Sequence, residues 1–221
     1  MNAAVLAGGR SRRFGRDKLL EPILGKPLAQ HVIDSLRASG AVFKIYLITT
    51  PGREWVADLL EGVDGVVSES LGAGPAGAVL AAVKSLGTSL AVAGDMPAIS
   101  PEFVEAFVSE CLPRLSQGAL ACSPSWGGFV EPLHTIYSVR AAGVLEDWVL
   151  IRGRRSLQAL IKSLASSGRA ALINASGFEW CFTNVNTVDD VREAEALIPK
   201  RFWGTKDISL RCSRGGGQQR A

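Results

Sequence analysis

Short apolar runs alternate with amphipathic stretches along most of the chain, and this alternation narrows the possible folds more than any other feature. Strand-like segments read at 3–7, 43–49, 65–68, 89–93, 118–122, 132–137, 170–173 and 180–183. Helix-like segments read between them at 27–39, 53–61, 75–86, 101–112, 141–150, 155–167 and 188–197. Leu28, Val32, Ile33 and Leu36 share one helical face, and Gly40 stands where that helix should stop. Ser100-Pro101 ahead of Glu102 and Phe103 reads as a cap with Pro at the first helical position. Strands alternating with helices predict βαβ units and a mostly parallel sheet. Runs such as Leu90-Ala91-Val92-Ala93 are apolar on both faces, which calls for helices on both sides. The expected fold class is therefore α/β: one Rossmann-like domain over 1–199, a mostly parallel central sheet between two helical layers. Ligands in such sheets bind beyond the carboxyl ends of the strands, so the residues that follow strands carry the information.

Composition excludes several other classes. The 221 residues are 47% hydrophobic, enough for one substantial core. No apolar run is long enough to cross a bilayer, and Met1 leads straight into a strand-like run rather than a basic and then apolar leader. The expectation is a cytoplasmic protein without a membrane partner. Cys111, Cys122, Cys181 and Cys212 are widely spaced, with no Cys-x-x-Cys pair, so they read as buried or incidental thiols in a reducing compartment. Residues 1–199 carry 18 basic and 20 acidic side chains, whereas 200–221 carry six basic ones against Asp207 alone. The body is nearly neutral. The tail reads as a basic, flexible, solvated segment, and nucleic acid binding is disfavoured.

The first strand runs into Leu6-Ala7-Gly8-Gly9-Arg10-Ser11-Arg12-Arg13-Phe14-Gly15-Arg16-Asp17-Lys18. Glycines just after a strand let backbone N–H groups approach a phosphate, and four arginines with a lysine supply charge for a polyphosphate. The plain alternative is a glycine turn beside a solvated basic stretch. The segment has neither the Gly-Lys-Ser/Thr ending of a P-loop nor the G-x-G-x-x-G of a dinucleotide fold, which disfavours a nicotinamide oxidoreductase.

Three further segments follow strands. In Gly94-Asp95-Met96-Pro97 the carboxylate is well placed for a hard cation, although it could simply cap the turn. Gly72-Ala73-Gly74-Pro75-Ala76-Gly77 puts small residues at a helix start, where an anion or a base edge can come close. Asn184-Val185-Asn186-Thr187 offers two amides at alternate positions, with Asn186 or Thr187 also a candidate helix cap.

Taken together, Leu6 to Lys18, Gly94-Asp95-Met96-Pro97 and Asn184-Val185-Asn186-Thr187 resemble the molybdenum cofactor guanylyltransferases (MobA-like), within the nucleotide-diphospho-sugar transferase-like superfamily. Gly25-Lys26-Pro27-Leu28, Glu131-Pro132-Leu133 with Tyr137, and Gly153 with Arg155 extend the resemblance over about 1–197. It implies a Mg²⁺-dependent enzyme that transfers GMP from GTP to the phosphate of molybdopterin carrying molybdenum or tungsten. It also implies molybdoenzymes or cofactor-delivery proteins as candidate partners. It places Leu6, Ala7, Gly8, Gly9, Thr49, Glu69 and Gly74 at the nucleotide, Arg13 and Lys18 at its phosphates, and Asp95 at Mg²⁺. Asn184, Asn186 and Arg155 fall on the acceptor side, where the nucleotide is expected barely to sense the two amides. Three departures bear on the base and ribose. Glu69 replaces the family's Asp, Ile48-Thr49-Thr50 lacks its Asn, and Gly74-Pro75-Ala76-Gly77 is one residue short. A cytidylyltransferase or other nucleotidyltransferase of the same fold is thus the alternative, and a non-catalytic nucleotide binder a more distant one.

The chemistry so implied joins two anions, and neutralisation and alignment dominate such a reaction. An acceptor phosphate is already ionised and needs no general base. Of the two histidines, His31 reads as packing or surface, and His134 could approach the acceptor.

Overall fold

A computed structural model describes residues 1–8, 17–199 and 211–212. In chain order the strands are β1 (Asn2–Leu6), β2 (Pro22–Ile23), β3 (Lys26–Pro27), β4 (Lys44–Thr49), β5 (Gly65–Ser68), β6 (Ser89–Ala93), β7 (Ala121–Trp126), β8 (Phe129–Val130), β9 (His134–Tyr137), β10 (Ala170–Asn174) and β11 (Arg211–Cys212). The α-helices are α1 (Leu28–Ala38), α2 (Pro75–Leu86), α3 (Pro101–Ser116), α4 (Ala142–Glu146), α5 (Leu157–Ser166) and α6 (Val188–Leu197).

The main sheet has the order β11-β10-β7-β9-β6-β1-β4-β5, with β8 against β7. Neighbours are parallel from β6 through β1 and β4 to β5 and between β7 and β10; β9 runs antiparallel between β6 and β7. One helical layer, built on α1 and α3, covers Val5, Leu47 and Val92. The other, built on α2, α4 and α5, covers Ala4, Leu6 and Ile48. Successive residues of β1 thus enter opposite cores, as period-two geometry requires. The expected single α/β domain with a mostly parallel sheet is what the chain forms.

Register brings the informative segments to one edge. Leu6 pairs with Ile48 on one side and Ala93 on the other, so the chain leaves β1, β4 and β6 at the same level. His134 lies opposite Val92, which carries the Glu131–Leu133 lead-in of β9 to that edge too.

Several local expectations are corrected. Residues 180–183, expected as a strand, form a 3₁₀ turn over Glu179–Phe182, whose apolar run is buried by packing Phe182 edge-on against Phe103 rather than by strand pairing. The helix expected at 53–61 is a 3₁₀ segment, Glu54–Leu59. The helix expected at 141–150 divides into α4 and a π turn over Asp147–Ile151. Helix α3 runs past Leu112 to Ser116 with Pro113 inside it, although a proline there lacks the N–H that would bond the carbonyl four residues earlier. Cys111 and Cys122, expected as free thiols, form a disulfide between α3 and β7 with Cα atoms 5.7 Å apart. Helix α3 packs on β7, and this brings together two cysteines that no short-spacing motif links. Cys181 is a buried free thiol, pushed up to about 12 by burial. No helix among the described residues is long and apolar enough to cross a membrane. Of the basic tail, Arg211–Cys212 pair antiparallel with β10, and the remaining residues of 200–221 lie outside the described residues.

Candidate active site

The carboxyl edge of β1, β4 and β6 borders a cavity of about 530 Å³. Leu6, Gly8, Thr49, Glu69, Gly74 and Asp95 all line it, so six of the residues expected at the nucleotide share one wall. Ala7 is buried directly behind and donates its N–H to the Ile48 carbonyl at 2.8 Å. Gly9 and Arg13 lie outside the described residues.

Each wall has a local cause. Gly94 is closely packed: a Cβ there would meet the Leu6 carbonyl oxygen at 3.0 Å and the Leu19 side chain at 3.3 Å, so a larger residue would push on the backbone of β1. Its N–H donates to that same carbonyl at 3.1 Å, so the chain turns tightly out of β6 and presents Asp95. Gly74 takes φ +64°, which favours glycine, and Pro75 then opens α2 with no side-chain cap on its first turn. An uncapped helix start of this kind leaves backbone N–H groups for a ligand. Glu69, 5% exposed, accepts the Gly72 N–H at 3.0 Å and packs closely on Gly77, where a Cβ would come within 2.7 Å of its Oε1. The Thr49 hydroxyl is buried with no hydrogen-bond partner among the described residues.

Lys18 is not among the residues that line the cavity and is tied to it through Asp95. Asp17 caps the 3₁₀ turn Lys18–Leu20 by accepting the Leu19 N–H at 3.2 Å, and Lys18 projects from that turn. Its ammonium donates to Asp95 Oδ2 at 2.6 Å and to Asn186 Oδ1 at 3.0 Å. The Val185 N–H donates to the Asp95 carbonyl at 3.0 Å, which fixes the late Asn-containing segment beside the Gly94–Pro97 turn. Thr187 and Asp190 form a reciprocal capping box at the start of α6, so Thr187 is the cap and Asn186 is available to Lys18. Asn184 is exposed on the same segment. Arg155 is not brought into the described wall of the cavity; it is exposed just before the Ser156 cap of α5, while its neighbour Arg154 lies over Trp148.

Two buried groups change the expected picture. His134, expected as a possible neighbour of the acceptor, is 1% exposed, with neither ring nitrogen partnered among the described residues and its ring edge-on to Phe182. Burial pushes its pKa down to about 3, so it stays neutral and has no accessible nitrogen for acid–base work. Glu131, within the Glu131-Pro132-Leu133 motif, is 5% exposed. Burial pushes its carboxyl up to about 7, the Leu133 N–H opposes that shift, and the negative charge of Asp95 adds to it. His31 is a packing residue, with Nε2 2.8 Å from the Ile23 carbonyl.

Comparison with known proteins agrees with this geometry. The family model described as "MobA-like NTP transferase domain" matches residues 3–170. The chain is 35% identical over 196 residues to a probable molybdenum cofactor guanylyltransferase of Pyrococcus furiosus, covering 88% of this chain and 96% of that one. It is 38% identical over 198 residues to a protein of the same description from Thermococcus kodakarensis, covering 89% and 95%. Its fold is similar to the crystal structure of molybdopterin-guanine dinucleotide biosynthesis protein A from Archaeoglobus fulgidus, with a TM-score of 0.72 at 23% identity, covering 90% of this chain and 100% of that one.

Proposed function

The chain belongs to the MobA-like NTP transferase family, and from that premise we propose that it transfers GMP from GTP to the phosphate of a molybdopterin-type cofactor, releasing pyrophosphate. The observation that carries the proposal is the placement of Lys18, which bonds Asp95 on the nucleotide cavity and Asn186 on the expected acceptor side with one ammonium.

In this reading the base and ribose enter between β4 and α2, where Thr49 and Glu69 offer a hydroxyl and a carboxylate. The phosphates extend past Gly8 toward Lys18. An acceptor phosphate oxygen forms the new bond to the α-phosphorus, and the bond to the pyrophosphate bridging oxygen breaks, with its electrons leaving on pyrophosphate. Lys18 offsets negative charge gathered at that point, and the first turn of α2 adds its aligned N–H groups. No proton needs to be removed from the nucleophile, in keeping with the buried, neutral His134.

The residues present fit Mg²⁺. No three metal-binding side chains cluster among the described residues, but Mg²⁺ characteristically takes one or two carboxylates and completes its shell with phosphate and water. Asp95, at 26% side-chain exposure on the cavity wall, is the residue that would hold it. The ion supplies charge stabilisation at the phosphates when bound.

Arg13 and Gly9 are assigned to the triphosphate, and Asn184 with Arg155 to the acceptor, on the family resemblance. The proposed setting is the cytoplasm, with GTP and molybdopterin as substrates and molybdoenzymes or delivery proteins receiving the product. Pyrophosphate release measured with each of the four nucleoside triphosphates and molybdopterin tests the assignment. GTP alone should support release, and equal or better release with CTP would redirect it to a cytidylyltransferase.

A further inference from the structure

We propose that Arg53 is a positioning residue, holding both ends of the glycine- and arginine-rich segment that joins β1 to Lys18. Arg53 follows Thr50-Pro51-Gly52, a turn closed by the Arg53 N–H donating to the Thr50 carbonyl at 3.1 Å, with Gly52 at φ +83°. Pro at the second position and a positive-φ Gly at the third make this a type II turn, a rigid base for the side chain that follows. From there the guanidinium reaches across the sheet edge. Nη1 donates to the Ala7 carbonyl at 3.0 Å, and Nη2 forms a close ion pair with Asp17 Oδ2. Ala7 is the first residue beyond β1, and Asp17 immediately precedes Lys18.

One planar group therefore spans the two points between which residues 8–16 run. The pair is sheltered, with side-chain exposures of 21% for Arg53 and 11% for Asp17. A sheltered, forked contact holds position in a way that a surface ion pair does not. Asp17 passes the constraint on. Its other carboxylate oxygen, Oδ1, accepts the Leu19 N–H, capping the turn from which Lys18 reaches Asp95 and Asn186. Arg53 thus acts on Lys18 through Asp17. Lysine cannot reproduce the role, because its single ammonium lacks the planar fork that meets two separated acceptors.

The nucleotide arm of the test rests on the proposed GTP chemistry, and the exchange arm does not. Hydrogen exchange at the Leu19 amide is measured without nucleotide in the parent, Arg53→Lys, Arg53→Gln and Asp17→Asn, and GTP affinity by calorimetry in the same proteins well below their melting temperatures. Exchange should quicken by about tenfold or more in all three variants, GTP should bind about tenfold or more weakly, and Arg53→Lys should rescue neither. The double variant Arg53→Gln with Asp17→Asn should be no worse than the poorer single one, because the two residues act as a unit. Unchanged Leu19 exchange overturns the clamp. Faster exchange with unaltered GTP affinity overturns its bearing on the nucleotide. A parent protein that binds no triphosphate overturns the GTP reading and leaves exchange to decide the clamp.

Discussion

The Lys18 ammonium lies 2.6 Å from Asp95 Oδ2 and 3.0 Å from Asn186 Oδ1, the second of these partners 168 positions away in sequence. The proposed function puts Lys18 with the nucleotide and Asn186 with the acceptor, and on that proposal their contact would couple the two sides. Asn186→Ala should raise the dissociation constant for GTP several-fold, since Lys18 loses its hydrogen bond to the Asn186 amide and a charged hydrogen bond contributes roughly 1.5–3 kcal/mol. Asn184→Ala, exposed on the same segment, should leave GTP binding unchanged while impairing transfer to the acceptor. Calorimetry with GTP alone separates the two, and identical GTP affinities in both variants would remove the coupling.

Removing the carboxylate of Asp95 tests its proposed role with the metal. Asp95→Asn keeps the shape of the turn held by Gly94 but takes the negative charge from the cavity wall. Metal-dependent turnover should fall on the order of a hundredfold or more. Circular dichroism should show the fold intact. Turnover within a few-fold of the parent would assign Asp95 to the turn alone.

The contact between Glu69 and Gly77 predicts a paired effect. A Cβ at Gly77 would lie 2.7 Å from Glu69 Oε1 and 3.0 Å from Cδ, so Gly77→Ala must displace the carboxylate from the cavity wall. Overpacking of this kind costs about 1–3 kcal/mol, and GTP binding should weaken with it. In a Glu69→Ala background the same Gly77→Ala change should cost less stability, because the nearest group is gone and only the Ala73 Cβ, 3.2 Å away, stays close. Equal destabilisation in both backgrounds, read from urea midpoints, would show that Glu69 is not the neighbour that matters.

His134 sets an acid limit on stability. Its pKa falls from 6.5 to about 3 in the fold, so the unfolded chain takes up a proton that the folded one refuses. The contribution to stability is present above about 6.5 and is lost as pH falls toward about 3. Both ring nitrogens are buried without partners among the described residues, so His134→Leu should leave stability at pH 7.5 equal or higher and should lose less of it at pH 4.5. Glu131 titrates in both proteins, and its effect cancels in the comparison. Parallel loss on acidification in urea titrations would contradict the assignment.

Much of this site was legible because the sheet is regular. The apolar run of β6 with a glycine and a carboxylate after it, and Gly74-Pro75 opening α2, declare their positions through local chemistry. Features that depend on contacts across the fold were not legible. Arg53 reads as an ordinary loop cation until β1 and β4 pair and bring Ala7 within its reach. Glu131 and His134 gained their shifted titration only when β9 entered the middle of the sheet. The disulfide needed α3 to pack on β7, and the apolar run Trp180-Cys181-Phe182 fits a buried 3₁₀ turn as well as a strand.

The most direct measurement of the central claim follows GTP labelled at the α-phosphorus in a single turnover with molybdopterin and Mg²⁺. The label should appear in a guanine dinucleotide form of the acceptor, one for each pyrophosphate released, with Asp95→Asn and Lys18→Ala both failing to produce it. Label remaining in intact GTP or appearing as free GMP in the parent protein, or transfer that survives in both variants, would contradict guanylyl transfer at this cavity.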